Sequence, residues 1–469
     1  MTPKEAASTI IAWHRDPQST ALLHKGVLSP HLAAAADVLA EVGNRDDDAG
    51  RNAISALFGD VIETLNDSFS RQARDLSAAV FARIVWHCAQ HSATLSDALG
   101  ACGITGEAAL HAYHHRVRNC TTPLPAQLQR IVILSRVTIG ADVLLTTVVL
   151  QRLRAAYPDA ELIVIGDPKL GGLLGGMPGV RIEALRYQRR GGLAERLGAW
   201  LPLRERITEL APDAVIAPDS RLDQLGLLPV IAPERYRLWE NLFINGPASL
   251  ASLLDHWCQA TIPGSATQPV PPRLFLDTTA AAHSQRIAAA SGTGLLAVKL
   301  DHGGNPAKAL PRAGELHLLR SLRSSGWRIL IDYGFGDEEC ANSNALMAEL
   351  GWTPTEIDDS NHGGIALQEL APGQLATAEV IRFHGSIAGW AAALAGCNAA
   401  LSYDSVGHHL AAALGVRLVT AFTGYQADDF PIAWQPCGPG HVDLITIPSD
   451  ERDQPRHWDR VLAALGSPG

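Results

Sequence analysis

Apolar residues recur every three or four positions through the first part of the chain. In residues 53–65 they occupy one face of a helix: Ile54, Leu57, Phe58, Val61, Ile62 and Leu65. A second helix is predicted over residues 75–90, where the apolar positions are Leu76, Val80, Ile84 and Cys88. This part of the chain has no strong strand pattern. We therefore predict an all-α N-terminal domain over residues 1–122.

A different pattern begins near residue 126, where short apolar runs alternate with segments of helix length. The runs "RIVILS", "AELIVIG" and "PDAVIAPD" lack polar alternation, as buried parallel strands do. After the proline-rich stretch "ATIPGSATQPVPPRLFL" the alternation resumes, with strands predicted in "GLLAVKL", "WRILIDYG", "AEVIRFHG", "NAALSY" and "RLVTAF". We predict an α/β fold with two Rossmann-like domains, residues 126–265 and 273–469. They would face each other across a cleft at the carboxyl ends of the strands.

Composition limits the classes of function. The 469 residues carry a net charge of −10, with 47% hydrophobic and 18% charged residues, which is typical of a soluble globular protein without a nucleic acid partner. No signal peptide and no run of ~18 uncharged apolar residues is visible, so we expect a cytoplasmic protein without a transmembrane segment. The 7 cysteines include no Cys-x-x-Cys pair, and we predict reduced thiols and no metal site.

Three motifs carry candidate chemistry. In "TIGADVLLTTVVL" a glycine turn after the first strand leads into a helix that begins near Asp142. "NPAKALP" places Lys308 in a polar loop after a strand, where it can neutralise a phosphate. In "YDSVGHHLAAALGV" a strand ends at Tyr403 and a helix begins, whose free N–H groups form an anion site. Taken singly, each motif is also explained by a helix cap or a solvated side chain.

In this order and at these separations, the three motifs resemble the heptosyltransferase-type glycosyltransferases of family 9. The resemblance covers roughly residues 126–450 and implies a GT-B fold. It implies that Asp142 is the base that deprotonates the acceptor hydroxyl and that Lys308 contacts the donor phosphate. The remaining donor-binding positions that it implies are Asp404, Ser405, Gly407 and His409, with Glu338 or Glu339 meeting the ribose.

The resemblance also implies a reaction. A sugar, heptose in this family, would pass from an ADP-sugar to an acceptor hydroxyl by metal-independent inverting transfer, with no cofactor required. Two departures from the family pattern are Ala141, inserted between the glycine and the aspartate, and Val406, which occupies a usual glycine position. The alternative hypothesis is therefore a catalytically weakened nucleotide-sugar-binding or scaffold protein of the same fold. A nicotinamide-dependent oxidoreductase is disfavoured, because "TIGADV" lacks the Gly-x-Gly-x-x-Gly turn.

The acceptor is not identified by the sequence. Thr138, in the glycine turn, lies in the half of the chain that binds acceptors in related enzymes. The same half contains Arg181, Arg186, Arg189, Arg190, Arg196, Arg204 and Arg206. These arginines either meet a phosphorylated or carboxylated acceptor or form an ordinary solvated face. A glycolipid, a protein and a small molecule remain open as acceptors, and the helical domain would recognise the acceptor or mediate oligomerisation.

Overall fold

The computed structural model describes residues 1–16, 28–186, 191–303, 305–359, 363–425 and 427–468. Within those ranges, only helices precede the first strand. They are α1 (Pro3–Arg15), α2 (Pro30–Gly43), α3 (Asp48–Ser55), α4 (Thr64–Asn66), α5 (Arg71–Gln90), α6 (Ala93–Ala101) and α7 (Glu107–Arg118). A π-helical segment, Ala56–Glu63, joins α3 to α4. Most of the longer helices begin at a side-chain cap, supplied by Thr2, Ser29, Asp47, Ser70 and Ser92.

The first sheet is parallel, with strand order β3-β2-β1-β4-β5. Its strands are β1 (Arg130–Leu134), β2 (Glu161–Gly166), β3 (Val180–Ala184), β4 (Ala214–Pro218) and β5 (Tyr236–Trp239). Its helices are α8 (Ile139–Ala141), α9 (Thr147–Ala156), α10 (Gly171–Leu174), α11 (Leu193–Gly198), α12 (Trp200–Leu210) and α13 (Leu250–Thr261). A π-helical turn, Asp142–Thr146, lies between α8 and α9.

Helices α1–α7 cover one face of this first sheet. Val132 and Leu134 of β1 are buried in one hydrophobic core with residues of α1, α2, α5 and α7. Ile131 and Ile133 point to the opposite face, where they pack with α9 and α13, since successive strand residues alternate between faces. Residues 1–122 were predicted as a separate domain, but their described helices form a layer that shares its core with the first sheet.

The second sheet is also parallel, with strand order β13-β12-β11-β6-β7-β10-β8-β9. Its strands are β6 (Leu295–Lys299), β7 (Arg328–Asp332), β8 (Thr355–Asp358), β9 (Ile365–Ala366), β10 (Val380–His384), β11 (Ala399–Tyr403), β12 (Arg417–Phe422) and β13 (Val442–Thr446). Its helices are α14 (Thr278–Ser291), α15 (Arg312–Ser324), α16 (Asp337–Leu350), α17 (Ile387–Ala395), α18 (Val406–Leu414), α19 (Phe430–Ala433) and α20 (Pro455–Leu465). Short 3-10 turns occupy Pro168–Leu170, Pro233–Arg235, Pro306–Lys308, Leu367–Glu369 and Ser449–Glu451.

The strands predicted from unbroken apolar runs are confirmed, as is the parallel pairing in both sheets. The α/β units meet through several backbone contacts, among them the Leu274 amide, which donates to the carbonyl of Ala413 at 3.2 Å. Among the described residues, no helix has the length and apolar character needed to cross a membrane.

Candidate functional site

The third motif forms the turn between β11 and α18. Ser405 is the N-cap of α18, and its hydroxyl accepts a hydrogen bond from the Gly407 amide at 3.4 Å. Asp404 precedes the cap and is nearly buried, and its Oδ2 lies 2.6 Å from Nζ of Lys308. The ammonium of Lys308 also lies 5.5 Å from the ring centre of Phe430. The structure thus brings Lys308, Asp404 and Ser405 together at one helix N-terminus.

The two histidines of this motif are buried in the first turns of α18. His408 donates from Nδ1 to the carbonyl of Tyr403 at 3.0 Å, and burial lowers its pKa to about 3. His409 is 6% exposed, and burial lowers its pKa well below the usual value, so its ring is neutral. A Cβ built on Gly140 would lie 3.0 Å from Cδ2 of His409. His409, expected to be open to a phosphate or sugar, is instead packed against α8.

Asp142 directly follows α8, the helix that contacts His409 of α18, and it lies near the carboxyl end of β1. The Ser135 hydroxyl donates to its Oδ2 at 2.7 Å, while the Arg136 amide and the Thr146 hydroxyl donate to Oδ1 at 2.8 and 2.7 Å. The side chain is only 1% exposed. Burial raises the pKa of Asp142, and these donors oppose that rise. The net direction is upward, so the pKa of Asp142 is higher than that of an exposed aspartate.

The backbone after Ala141 departs from a regular α-helix. The helix after β1 does not continue as a regular α-helix but passes through the π-helical turn Asp142–Thr146. A π-turn holds one more residue than an α-turn, so it would accommodate the one-residue insertion that the family resemblance implies at Ala141. Asp142 is the first residue of this turn and lies beside Ser135 and Arg136.

A second set of charges lies at the carboxyl ends of β6 and β7. Lys299 forms ion pairs with Asp332 and, at 3.5 Å, with Asp301. Burial favours the neutral amine, but these two carboxylates raise the pKa of Lys299. Glu339 adjoins Asp301, and its carboxylate accepts a hydrogen bond from the Phe335 amide at 2.6 Å. Glu338 is exposed, so of the two glutamates Glu339 is the one directed toward this edge.

Sequence reasoning missed a buried arginine network at the carboxyl ends of β1 and β4. Asp219 binds Arg74 of α5 at 2.6 Å and Arg136 at 2.6 Å. Burial favours the neutral acid, but the two guanidinium groups hold the pKa of Asp219 below its usual value. The guanidinium of Arg136 also lies 5.1 Å from the ring centre of Trp434, which follows α19 of the second sheet. The only sequence signal was an arginine placed directly after a buried strand.

The helical layer contributes a second missed residue, Asp67, which directly follows α4. The loop after it is fixed at the carboxyl edge of the first sheet, because the Phe243 amide donates to the Phe69 carbonyl at 2.9 Å and the two rings stack at 4.6 Å. Burial raises the pKa of Asp67 to about 6, an effect that the nearby charges of Arg136 and Lys308 oppose. The apolar pattern of the N-terminal helices did not indicate that Asp67 lies at the edge of the first sheet.

The predicted acceptor-side residues are not gathered into one site. Thr138 is exposed just before α8, and Arg186 is exposed beyond the end of β3. Arg189 and Arg190 lie outside the described residues. Arg181 and Arg206 both pair with Glu183 on the surface. In the part of the chain that the structure describes, no group of three or more His, Cys, Asp or Glu side chains is arranged to hold a metal ion.

This chain is similar to several solved structures. No family model matches the sequence, and no curated protein matches it. The family 9 glycosyl transferase of Veillonella parvula matches with a TM-score of 0.50 and 15% identity, covering 72% of this chain and 92% of that protein. At this identity the similarity shows a shared fold.

Two Escherichia coli structures give similar alignments. Heptosyltransferase WaaC with ADP has a TM-score of 0.49 and 16% identity, over 71% of this chain and 100% of that one. ADP-heptose lipopolysaccharide heptosyltransferase II has a TM-score of 0.46 and 16% identity, over 72% of this chain and 99% of that one.

Proposed function

We propose that this chain is a glycosyltransferase of the family 9 type, which moves a sugar from an ADP-sugar, in this family a heptose, to an acceptor hydroxyl. The observation that carries the proposal is the Lys308–Asp404 pair at the N-terminus of α18, opposite the helix that bears Asp142. The fold shared with the Veillonella parvula protein and the three motifs in family order support it. The two sheets then form the acceptor and donor halves of a GT-B cleft, and the helical layer belongs to the acceptor half.

The donor diphosphate binds at Lys308 and the first turn of α18. The Lys308 ammonium has three donor hydrogens, so it can keep Asp404 and still bind phosphate oxygens. The partial positive charge of the helix N-terminus adds to this attraction. Glu339 accepts from the ribose hydroxyls. Together these groups stabilise the negative charge that develops on the diphosphate as its bond to the sugar breaks.

Asp142 acts as the base. Its Oδ1 already accepts two hydrogen bonds, but Oδ2 accepts only that of Ser135, which leaves an acceptor position for a substrate hydroxyl. Asp142 takes the hydroxyl proton, the oxygen forms a bond to the anomeric carbon, and the bond to the diphosphate breaks with inversion. The raised pKa makes Asp142 a stronger base than an exposed aspartate.

Access to this base requires a movement. Asp142 is 1% exposed, and the first turns of α8 and α18 are in contact at Gly140 and His409. The acceptor therefore reaches Oδ2 only when these two turns separate.

Release of ADP from ADP-heptose in the presence of an extract that supplies acceptors tests the proposal. The wild type should release ADP, and Asp142→Asn should lower that rate about 100-fold or more while ADP affinity is retained, because a general base contributes ~10²–10⁴. Asp159→Asn, at an exposed turn, is the matched control and should keep full activity. An Asp142→Asn variant as active as the wild type would rule out this base.

The second candidate is a nucleotide-sugar-binding protein without turnover. Val406 favours it, since its Cα lies 3.5 Å from the Cβ position of Gly140 and its side chain stands in the first turn of α18. A wild type that binds ADP but releases none from ADP-heptose, with any acceptor extract added, would support this candidate over the enzyme.

A further inference from the structure

A cavity of about 420 Å³ lies between α7 of the helical layer and α12, away from the candidate site. Its walls come from α7, α12 and residues 229–235. Helix α12 leads into β4 and residues 229–235 lead into β5, so the cavity lies at the amino ends of these strands. Asp142 and Asp219 lie at the carboxyl ends, roughly 15 Å away along a five-residue strand.

The cavity is lined by three arginines, Arg116, Arg204 and Arg235, and by no aspartate or glutamate. Among the described residues, neither Arg116 nor Arg204 forms an ion pair with a carboxylate. Arg235 donates only to main-chain carbonyls, those of Pro212 and Asp213. Arg204 also lies 6.0 Å from the ring centre of Trp200 and contacts the Cys102 thiol. Among the described residues no ion pair neutralises any of the three, whereas Arg181 and Arg206 of the same α/β unit are both paired with Glu183.

The rest of the wall is mainly apolar. Ile207, Val230 and Tyr113 are buried residues of the core shared by the helical layer and the sheet, and they form part of the lining. The Tyr113 hydroxyl is already engaged, since it donates to the Ile231 carbonyl at 3.4 Å. The wall therefore offers an apolar surface beside the guanidinium groups.

These features define a ligand class. Three guanidinium groups match the three terminal oxygens of a phosphate monoester better than the two oxygens of a carboxylate. The apolar wall suits an organic group attached to that phosphate, and the volume falls within the range of small-molecule pockets, roughly 300–1,000 Å³.

We propose that this cavity is a binding site for a small phosphate monoester with a compact apolar group. It is a second site, independent of the proposed glycosyl transfer. Its walls belong both to α7 of the helical layer and to α12 of the sheet unit, so its ligand joins these two layers.

Isothermal titration with phenyl phosphate tests the proposal on the full chain. We expect one saturable site, binding at least several-fold tighter than inorganic phosphate. Arg116→Gln and Arg204→Gln should each weaken binding about tenfold or more. Arg286→Gln, which removes the same charge from an exposed position of α14, should leave the affinity unchanged. Unchanged thermal unfolding of each variant shows that the fold is intact.

Three results would overturn it. Absence of saturable binding excludes the site. Equal losses in Arg204→Gln and Arg286→Gln would mean a general charge effect. Loss of phenyl phosphate binding in Lys308→Ala, or its displacement by ADP, would assign the probe to the candidate donor site instead.

Discussion

At the scale of single residues, the candidate site is governed by how each charge is compensated. Asp142 and Asp219 are both buried, but three hydrogen bonds are the main compensation of the first, whereas two arginines form ion pairs with the second. Their pKa values consequently move in opposite directions. Asp67 has neither kind of partner among the described residues, and burial is the main influence on its pKa.

The raised pKa of Asp67 predicts a pH-dependent stability. With a folded-state pKa of about 6 against a usual 3.8, the protonated form is favoured in the folded state. The free energy of unfolding therefore falls as pH rises from about 4 to about 6, and the loss is complete above that window. Asp67→Asn should raise the free energy of unfolding by about 1 kcal/mol at pH 7.5, after discounting the full shift for solvent screening, with little effect at pH 4.

Urea unfolding of both proteins at the two pH values measures this difference. An equal change at pH 4 and pH 7.5 would contradict the assignment of the raised pKa to Asp67.

Motif residues were the part of the site that sequence could predict. Lys308, Asp404 and Ser405 follow strands at turns, and the carboxyl ends of parallel strands share one edge, so their meeting follows from the pattern. The burial of His409 could not be predicted, because the spacing of apolar residues does not indicate which other helix packs against the first turn of α18. Asp67 was missed for a similar reason: its place depends on a long-range contact between Phe69 and Phe243.

At the scale of elements, the contact between α8 and α18 sets the access to the site. Gly140 permits it, since a side chain there would press on the His409 ring. The π-helical turn after α8 was not predictable, because apolar periodicity does not distinguish an α-turn from a π-turn that holds one more residue.

Gly140→Ala should therefore destabilise the protein. The added Cβ would lie 3.0 Å from Cδ2 of His409, so this buried ring would have to move by a few tenths of an ångström, and overpacking of this kind costs about 1–3 kcal/mol. Gly100→Ala in α6 is the matched control, because a Cβ there meets nothing within 4 Å and alanine favours a helix. Thermal unfolding should show a lower Tm for the first variant and an unchanged or higher Tm for the second. A Tm for Gly140→Ala at or above that of the wild type would mean that this contact is loose.

At the scale of the whole molecule, the helical layer and the first sheet form one folding unit. The sequence predicted both parts, because apolar helix faces and unbroken apolar strands are visible in it. It could not predict that they cover each other, since an apolar face shows that a surface is buried but not against what. The buried ion pair between Arg74 and Asp219 adds a polar link across this boundary.

Removal of residues 1–122 should therefore expose one face of the first sheet. Val132, Leu134, Ile163, Val215 and Ala217 would lose the part of their cover that the helical layer supplies, and of the described helices only α11 and α12 would remain on that face. We expect the fragment from residue 123 to be aggregated or to bind a hydrophobic dye, as seen by size-exclusion chromatography and fluorescence. A soluble monomer with cooperative unfolding would contradict the shared core.

The central claim is that an ADP-sugar binds at Lys308, Asp404 and the N-terminus of α18. Isothermal titration of ADP into the wild type, Lys308→Ala and the exposed control Lys4→Ala tests it most directly. We predict saturable binding to the wild type and to Lys4→Ala, and binding at least tenfold weaker, about 1.4 kcal/mol, to Lys308→Ala. Equal affinity of Lys308→Ala and the wild type, or no binding of ADP at all, would contradict the account.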